Sequence, residues 1–495
     1  MLSLIILSVG LVPAGSGESP AELAAWIDAR LDAVWRAKGV QPRKAAGDDV
    51  FLRRAYLELT GAIPSVAEAR DFLQSTSADS TSAGKRERLI RNLLDDKRFS
   101  EHYARLWART LAPAGNTRGP FEAWLRGEFR KNTPFDQLAT AVLTAKGNAM
   151  TAAPAAFYSA VGNSPERIAE AVARGFMGVR LGCAQCHNHP YTSWKREHFW
   201  GLAAFFAGTG TAPGQVNDGF TTKITSPTGR REYEAKFLEG PAPKFPEGRA
   251  PRAVLAEWIA NPKNRFFAAN AVNRVWQDLC GSGLVSTIDD LDTLEATERA
   301  QVLDELAAKF AANGFDLRWL IEGICLSKAY QQQSAASTED GSGQRPVRAL
   351  SPDQVFAALD QALALRKGRA LSPRFTPEGR ILMTRLEEAR GATPTEFKGG
   401  ISQALLLMNG PLVSRATNLE DSMTLRAVVE APFLKEAEKL DTLFLAAYSR
   451  LPRPEERERL LQLVRANAGD REAVRQAYAN IFWALLNSPE FILYP

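Results

Sequence analysis

Apolar residues recur at helical spacing along almost the whole chain, and helix start and stop signals separate one run from the next. Phe51, Leu52, Ala55, Tyr56 and Leu59 form one such stripe, closed by Gly61. Val66–Leu73 and Leu89–Leu94 continue the pattern. Ser164-Pro165 is an N-cap followed by a proline at the first helical position, and it opens a stripe through Ile168, Val172, Phe176 and Val179. Asn264 is placed to cap a helix through Phe267, Val272, Val275, Trp276 and Leu279, with Gly281 as its C-terminal glycine. Leu303, Leu306 and Phe310, then Leu317, Leu320, Ile321 and Ile324, form two further faces. Ser351-Pro352-Asp353-Gln354 reads as a capping box, and Arg471–Leu486 as the last helix. There is no βαβ alternation, no glycine-rich phosphate loop and no short-period repeat. The expected fold is mainly α.

Residues 209–249 change character. They are rich in Gly, Pro and Thr and hold short alternating pieces such as Phe220-Thr221-Thr222-Lys223-Ile224. They read as a linker or a small β element joining two helical domains, residues 18–208 and 250–495. At the start, Leu2–Val12 is apolar and Ala14-Gly15-Ser16-Gly17 follows. That pattern predicts an export signal over residues 1–17, hence a periplasmic or otherwise exported protein, although its first residues lack Lys and Arg. A plain hydrophobic N-terminus is the other reading. No later stretch reaches 18 apolar residues, so no transmembrane span is expected. Lys and Arg number 61 against 56 Asp and Glu, interspersed, so the charge does not point to a nucleic-acid partner.

Cys183-Ala184-Gln185-Cys186-His187 is the one concentrated chemical signal. With four cysteines and four histidines in 495 residues, chance is a poor explanation for it. C-x-x-C-H is the attachment pattern of c-type haem: two thiols form thioethers and the histidine becomes the proximal iron ligand. On a helix, positions 183, 186 and 187 would share a face, here one continuing the stripe from Ile168 to Val179. His187, His189 and His198 lie close together in the chain, with His102 apart. The same cluster supports a rival, a zinc site from Cys183, Cys186, His189 and His198, with His187 an alternative ligand. A plainer account makes His189-Pro190 a turn and packs His198 beside Trp194. A redox dithiol at Cys183 and Cys186 is a third reading, though the βαβ surroundings of such motifs are missing. Cys280 and Cys325 read as buried thiols, with pairing as the alternative. Asp289, Asp290 and Asp292 read as a solvated cap rather than a cation site.

Longer stretches carry a resemblance. Phe51-Leu52-Arg53-Arg54-Ala55-Tyr56-Leu57-Glu58-Leu59-Thr60-Gly61-Ala62-Ile63-Pro64, followed by Cys183–Pro190 and Trp194, resembles the planctomycete cytochrome c-like domain of unknown function. Asn273-Arg274-Val275-Trp276, Gly281-Ser282-Gly283-Leu284-Val285 and Asp289-Asp290 are similar to its usual C-terminal companion, the domain specific to Planctomycetes and Verrucomicrobia. Ser327–Gln331, Gln403–Asn409 and Ala484–Phe491 fit the same companion. The resemblance implies an exported, haem-binding-like protein of unestablished biochemical role. On that reading Cys183, Cys186 and His187 hold haem c, and an electron-transfer or cell-envelope partner is expected. The sixth ligand is open among His198, His102 and the more distant Met408, or the position is vacant. The runner-up is a structural or binding scaffold with a Cys/His zinc site or no metal.

Overall fold

The computed structural model describes residues 17–75, 82–113, 118–148, 151–209, 214–227, 230–285, 289, 291, 297–334, 345–364, 380, 381, 384, 419 and 422–494. The expected leader, apart from Gly17, lies outside the described residues, as do Asp290, Asp292 and Gln403–Asn409 with Met408.

The chain is mainly α, and its helices start and stop where the local chemistry directs. The first motif helix is Asp48–Thr60, closed by Gly61 in the left-handed conformation at φ 72°. Ser164 accepts the Arg167 N–H at the head of Pro165–Met177. Asn264 accepts from Phe266 and Phe267 to open Arg265–Cys280, and Gly281 ends that helix at φ 88°. The box at Ser351 and Gln354 forms as expected and opens Pro352–Leu363.

Strands are few and short. β1 (Gly147–Asn148) pairs antiparallel with β2 (Gln215–Val216), and β3 (Lys223–Thr225) with β4 (Glu232–Glu234). The Gly/Pro-rich segment therefore does contain the small β element. β5 (Arg348–Ala349) pairs with β6 (Leu493–Tyr494) near the C-terminus.

Two apolar cores hold the helices. The larger draws on residues from Leu23 to Tyr330, from both sides of the Gly/Pro-rich segment, and adds Leu445. Phe135 stacks on Phe267 at 5.1 Å, and Phe237, from within that segment, stacks on Trp258 at 5.0 Å. The second core gathers side chains between Leu350 and Tyr494 and adds Leu57 and Ile63. The Asp48–Thr60 helix serves both. Arg53 donates to the carbonyls of Ala447 at 2.8 Å and Phe491 at 2.7 Å. Its neighbour Arg54 turns the other way, to the carbonyls of Tyr330 and Gln332. Glu58, one turn on, pairs with Arg345 and, at 3.3 Å, with Arg348. These buried charges lie between the cores and are paired or hydrogen-bonded, as burial requires. Among the described residues no helix is long and apolar enough to cross a membrane.

Candidate functional site

The expected single helix through the cysteines is corrected. The Pro165–Met177 helix stops at Gly178, whose φ of 64° lets the Gly178 and Val179 N–H groups turn back to the carbonyls of Arg174 and Ala173. The cysteines ride instead on a separate 3₁₀ turn, Gly182–Gln185. The turn keeps much of the expected grouping, because the N–H groups of Cys186 and His187 both reach the Cys183 carbonyl, the second at 3.4 Å. Ala184 points into the core, whereas Cys183, Cys186 and His187 are exposed. Both thiols are free.

Neighbouring residues fix the turn from below. Trp200, buried on the Arg196–Ala204 helix, donates its indole N–H to the Gln185 carbonyl at 3.1 Å and stacks on Tyr233. Gly182 lies so close to Glu170 that a Cβ would stand 2.8 Å from the carboxylate. The Asn188 side chain accepts the Arg196 N–H at 3.1 Å and ties the loop to the start of the next helix. Trp200 and Asn188 are positioning residues whose part in the site sequence reasoning did not single out. Their partners lie eight and fifteen positions away along the chain, so no local signal marks either role.

The three clustered histidines have different ring chemistry. His187 Nδ1 lies 2.8 Å from the Asn188 carbonyl oxygen. A carbonyl can only accept, so in the neutral ring the proton sits on Nδ1 and the lone pair on Nε2. His189 is the reverse: its Nδ1 accepts the N–H groups of Tyr191 at 3.3 Å and Thr192 at 3.1 Å. His198 Nδ1 accepts the Lys195 N–H at 3.0 Å, and its ring meets Trp194 edge to face at 5.2 Å. In both of these rings the proton belongs on Nε2. Burial holds the His198 pKa below the ordinary value, Lys236 and Lys195 push the same way, and Glu197 opposes them. His189 thus forms a turn and His198 caps a helix beside Trp194. Among the described residues no three His, Cys, Asp or Glu side chains come together as a metal-holding group.

The remaining candidates lie in other surroundings. His102 is buried against Gly61, hydrogen-bonded to the Glu58 backbone, with Arg105, Arg109 and Asp353 nearby. Cys280 and Cys325 are buried free thiols; burial pushes Cys280 up to about 12 and Cys325 well above its ordinary value. Asp289 is engaged by Arg274 and, at 3.8 Å, by Arg180.

A mainly helical chain with an exposed C-x-x-C-H turn is the class this geometry defines. Residues 26–211 match the family model PSCyt2, described as a protein of unknown function (DUF1549). Residues 251–357 match PSD1, likewise described as a protein of unknown function (DUF1553). Between them the two models cover more than half of the chain, which belongs to the proteins that pair these domains in this order. No curated protein and no solved structure matches it.

Proposed function

We propose that the chain is an exported c-type haem protein serving as an electron-transfer or redox component. The observation that carries this reading is the His187 ring: its Nδ1 proton is committed to the Asn188 carbonyl, which leaves the Nε2 lone pair for a metal. Cys183 and Cys186 would be the thioether anchors; both are free, exposed and on the same turn. The donor set therefore fits haem c. Bound there, haem would supply an iron centre able to take up and release one electron. Trp200 and Asn188 hold the turn and loop so that the anchors and the ligand keep their spacing. Export is inferred from the apolar run Leu2–Val12 and the small residues that follow it.

Thioether bonds survive denaturation, whereas zinc coordination is lost when a site unfolds. Protein exported through a cytochrome c maturation pathway should therefore keep a haem-sized added mass and a haem stain on a denaturing gel. Replacing Cys183 and Cys186 with Ser should abolish both, and His187→Ala should remove the proximal ligand. Colourless wild-type protein with one equivalent of zinc would overturn the haem reading in favour of a Cys/His zinc site. Colourless protein without metal would leave a helical scaffold.

A further inference from the structure

The chain meets one face of the Arg265–Cys280 helix both before and after the C-x-x-C-H turn. Phe266, Asn270 and Arg274 stand four residues apart on that helix and so share a face. Asn270, fully buried, donates from Nδ2 to the Gly175 carbonyl at 2.8 Å. Its Oδ1 accepts from Arg274 Nε at 2.8 Å, and Arg274 Nη2 donates to the Arg174 carbonyl at 2.9 Å. Arg174 and Gly175 lie in the last turn of the Pro165–Met177 helix, where carbonyls run out of intrahelical partners. Two neighbours extend the grip: the Leu291 N–H donates to the Gly178 carbonyl at 3.0 Å, and Asp289 joins Arg274 to Arg180. Only four residues separate Gly178 from Cys183. Beyond the turn, the Phe266 ring lies 6.3 Å from that of Trp194, whose carbonyl accepts the His189 N–H at 2.8 Å.

The gripping residues all belong to the PSD1 segment, and the residues they hold all belong to the PSCyt2 segment. Apolar packing alone would join two domains without favouring one direction of the chain. Here directional donors meet carbonyls at a helix end, which fixes where the helix stops and the heading on which the chain leaves Gly178. A guanidinium fork braced by a buried amide adds geometric specificity to the energy of its hydrogen bonds.

We propose that Asn270 and Arg274 are positioning residues for the C-x-x-C-H site, so that one role of the companion domain is to aim Cys183, Cys186 and His187. They act through the Arg174 and Gly175 carbonyls, at the helix end that leads the chain into the turn. As far as it concerns haem, this inference rests on the function proposed above; as far as it concerns the turn, it stands on the hydrogen bonds alone. Without the grip, the last helical turn frays, and the Cys183 turn keeps its Trp200 anchor but loses its fixed approach.

The test reads hydrogen exchange by NMR in the haem-free full chain. Two protons report on the turn: the Ala184 N–H, which donates to the Leu181 carbonyl at 2.8 Å, and the Trp200 indole N–H on the Gln185 carbonyl. Both should exchange about tenfold faster in Arg274→Gln. Gly323→Ala, which presses on Leu23 instead, controls for lost stability and should leave both rates as in wild type. Arg274→Lys keeps the charge beside Asp289 and should fold, but it lacks the planar fork, so it should restore only part of the protection. In haem-bearing protein the visible bands of Arg274→Gln should differ from those of wild type, and the bands of Gly323→Ala should not. Exchange in both Arg274 variants no faster than in Gly323→Ala would overturn the proposal, and so would unchanged haem bands in Arg274→Gln. Wild-type protein that takes up no haem would sink the function proposed above, while the exchange rates would still decide whether the companion domain holds the turn.

Discussion

The side-chain amide of Asn273 pairs with both backbone groups of Val285: Nδ2 donates to the carbonyl at 3.1 Å and Oδ1 accepts the N–H at 3.2 Å. A fully buried mid-helix asparagine thus holds the loop after Gly281 much as a neighbouring strand would. Gly283 makes room for this, since a Cβ there would press on the Val285 oxygen and the Asn273 amide. Arg274, the next residue, reaches Asp289 and the Arg174 carbonyl, close to where the Pro165–Met177 helix ends. The Asn-Arg-Val-Trp and Gly-Ser-Gly stretches therefore act as one clamp.

Asn273→Ala should strip both Val285 groups of their partner in a dry interior. Each lost partner costs about 1–3 kcal/mol, so a total loss of roughly 2–6 kcal/mol is expected. Urea unfolding followed by tryptophan fluorescence measures it. An unchanged midpoint would mean that water replaces the amide and that the clamp contributes nothing.

Gly323 sits directly on Leu23, joining the Leu317–Leu326 helix to Pro20–Ala37, and a Cβ would fall within the Leu23 side chain. Gly323→Ala improves helix propensity by about 1 kcal/mol yet forces the two helices apart. Overpacking of this kind costs about 1–3 kcal/mol, so the variant should be less stable on balance. A rise in midpoint would show that the N-terminal helix yields without loss.

Much of the helical skeleton was legible because capping is local: Ser164, Asn264, Gly281 and the Ser351–Gln354 box each act within four residues. The helix stop before the cysteines was less so. Gly178 reads equally well as room for a bulky group and as a left-handed terminator, and only its φ decides. Histidine tautomers were illegible, since they depend on which backbone group faces Nδ1 in His187, His189 and His198. The pairing of Glu58 with Arg345 spans 287 positions and leaves no periodic trace. An apolar stripe says that a helix is buried, not against what, so the sharing of one core across residues 209–249 was hidden too.

His102 links stability to pH. Burial is the main force lowering its pKa, from 6.5 to about 3, with Arg105 adding to it. The folded state thus holds the ring neutral, while the unfolded chain binds the proton below about 6.5. Stability from this group is fully present above pH 6.5 and is lost as pH falls towards 3, at about 1.4 kcal/mol per unit. His102→Gln should flatten the stability curve between pH 6 and pH 4 relative to wild type. Parallel curves would show that the ring is already charged in the fold.

The four cysteines should separate into two classes. In protein made without haem, Cys183 and Cys186 are exposed and should be alkylated quickly by iodoacetamide, whereas Cys280 and Cys325 are buried, with raised thiol pKa values. Mass spectrometry should show two additions in the native state and four after unfolding. A peptide joining Cys280 to Cys325 in unreduced protein would contradict the free thiols.

His198→Ala separates a capping histidine from a ligand. The ring accepts the Lys195 N–H through Nδ1 and carries its proton on Nε2, so neither nitrogen offers a lone pair to a metal as the site stands. Its removal leaves the Arg196–Ala204 helix without that hydrogen bond, at a cost of about 0.5–2 kcal/mol. Haem attachment and the visible spectrum should stay as in wild type, because Cys183, Cys186 and His187 are untouched. His187→Ala, in contrast, should change both the spectrum and the amount of attached haem. A shifted spectrum in His198→Ala, with attachment intact, would mean that the ring gives up its cap, switches tautomer and serves as the sixth ligand. Absorption spectra of the two variants, read beside their unfolding midpoints, distinguish these outcomes.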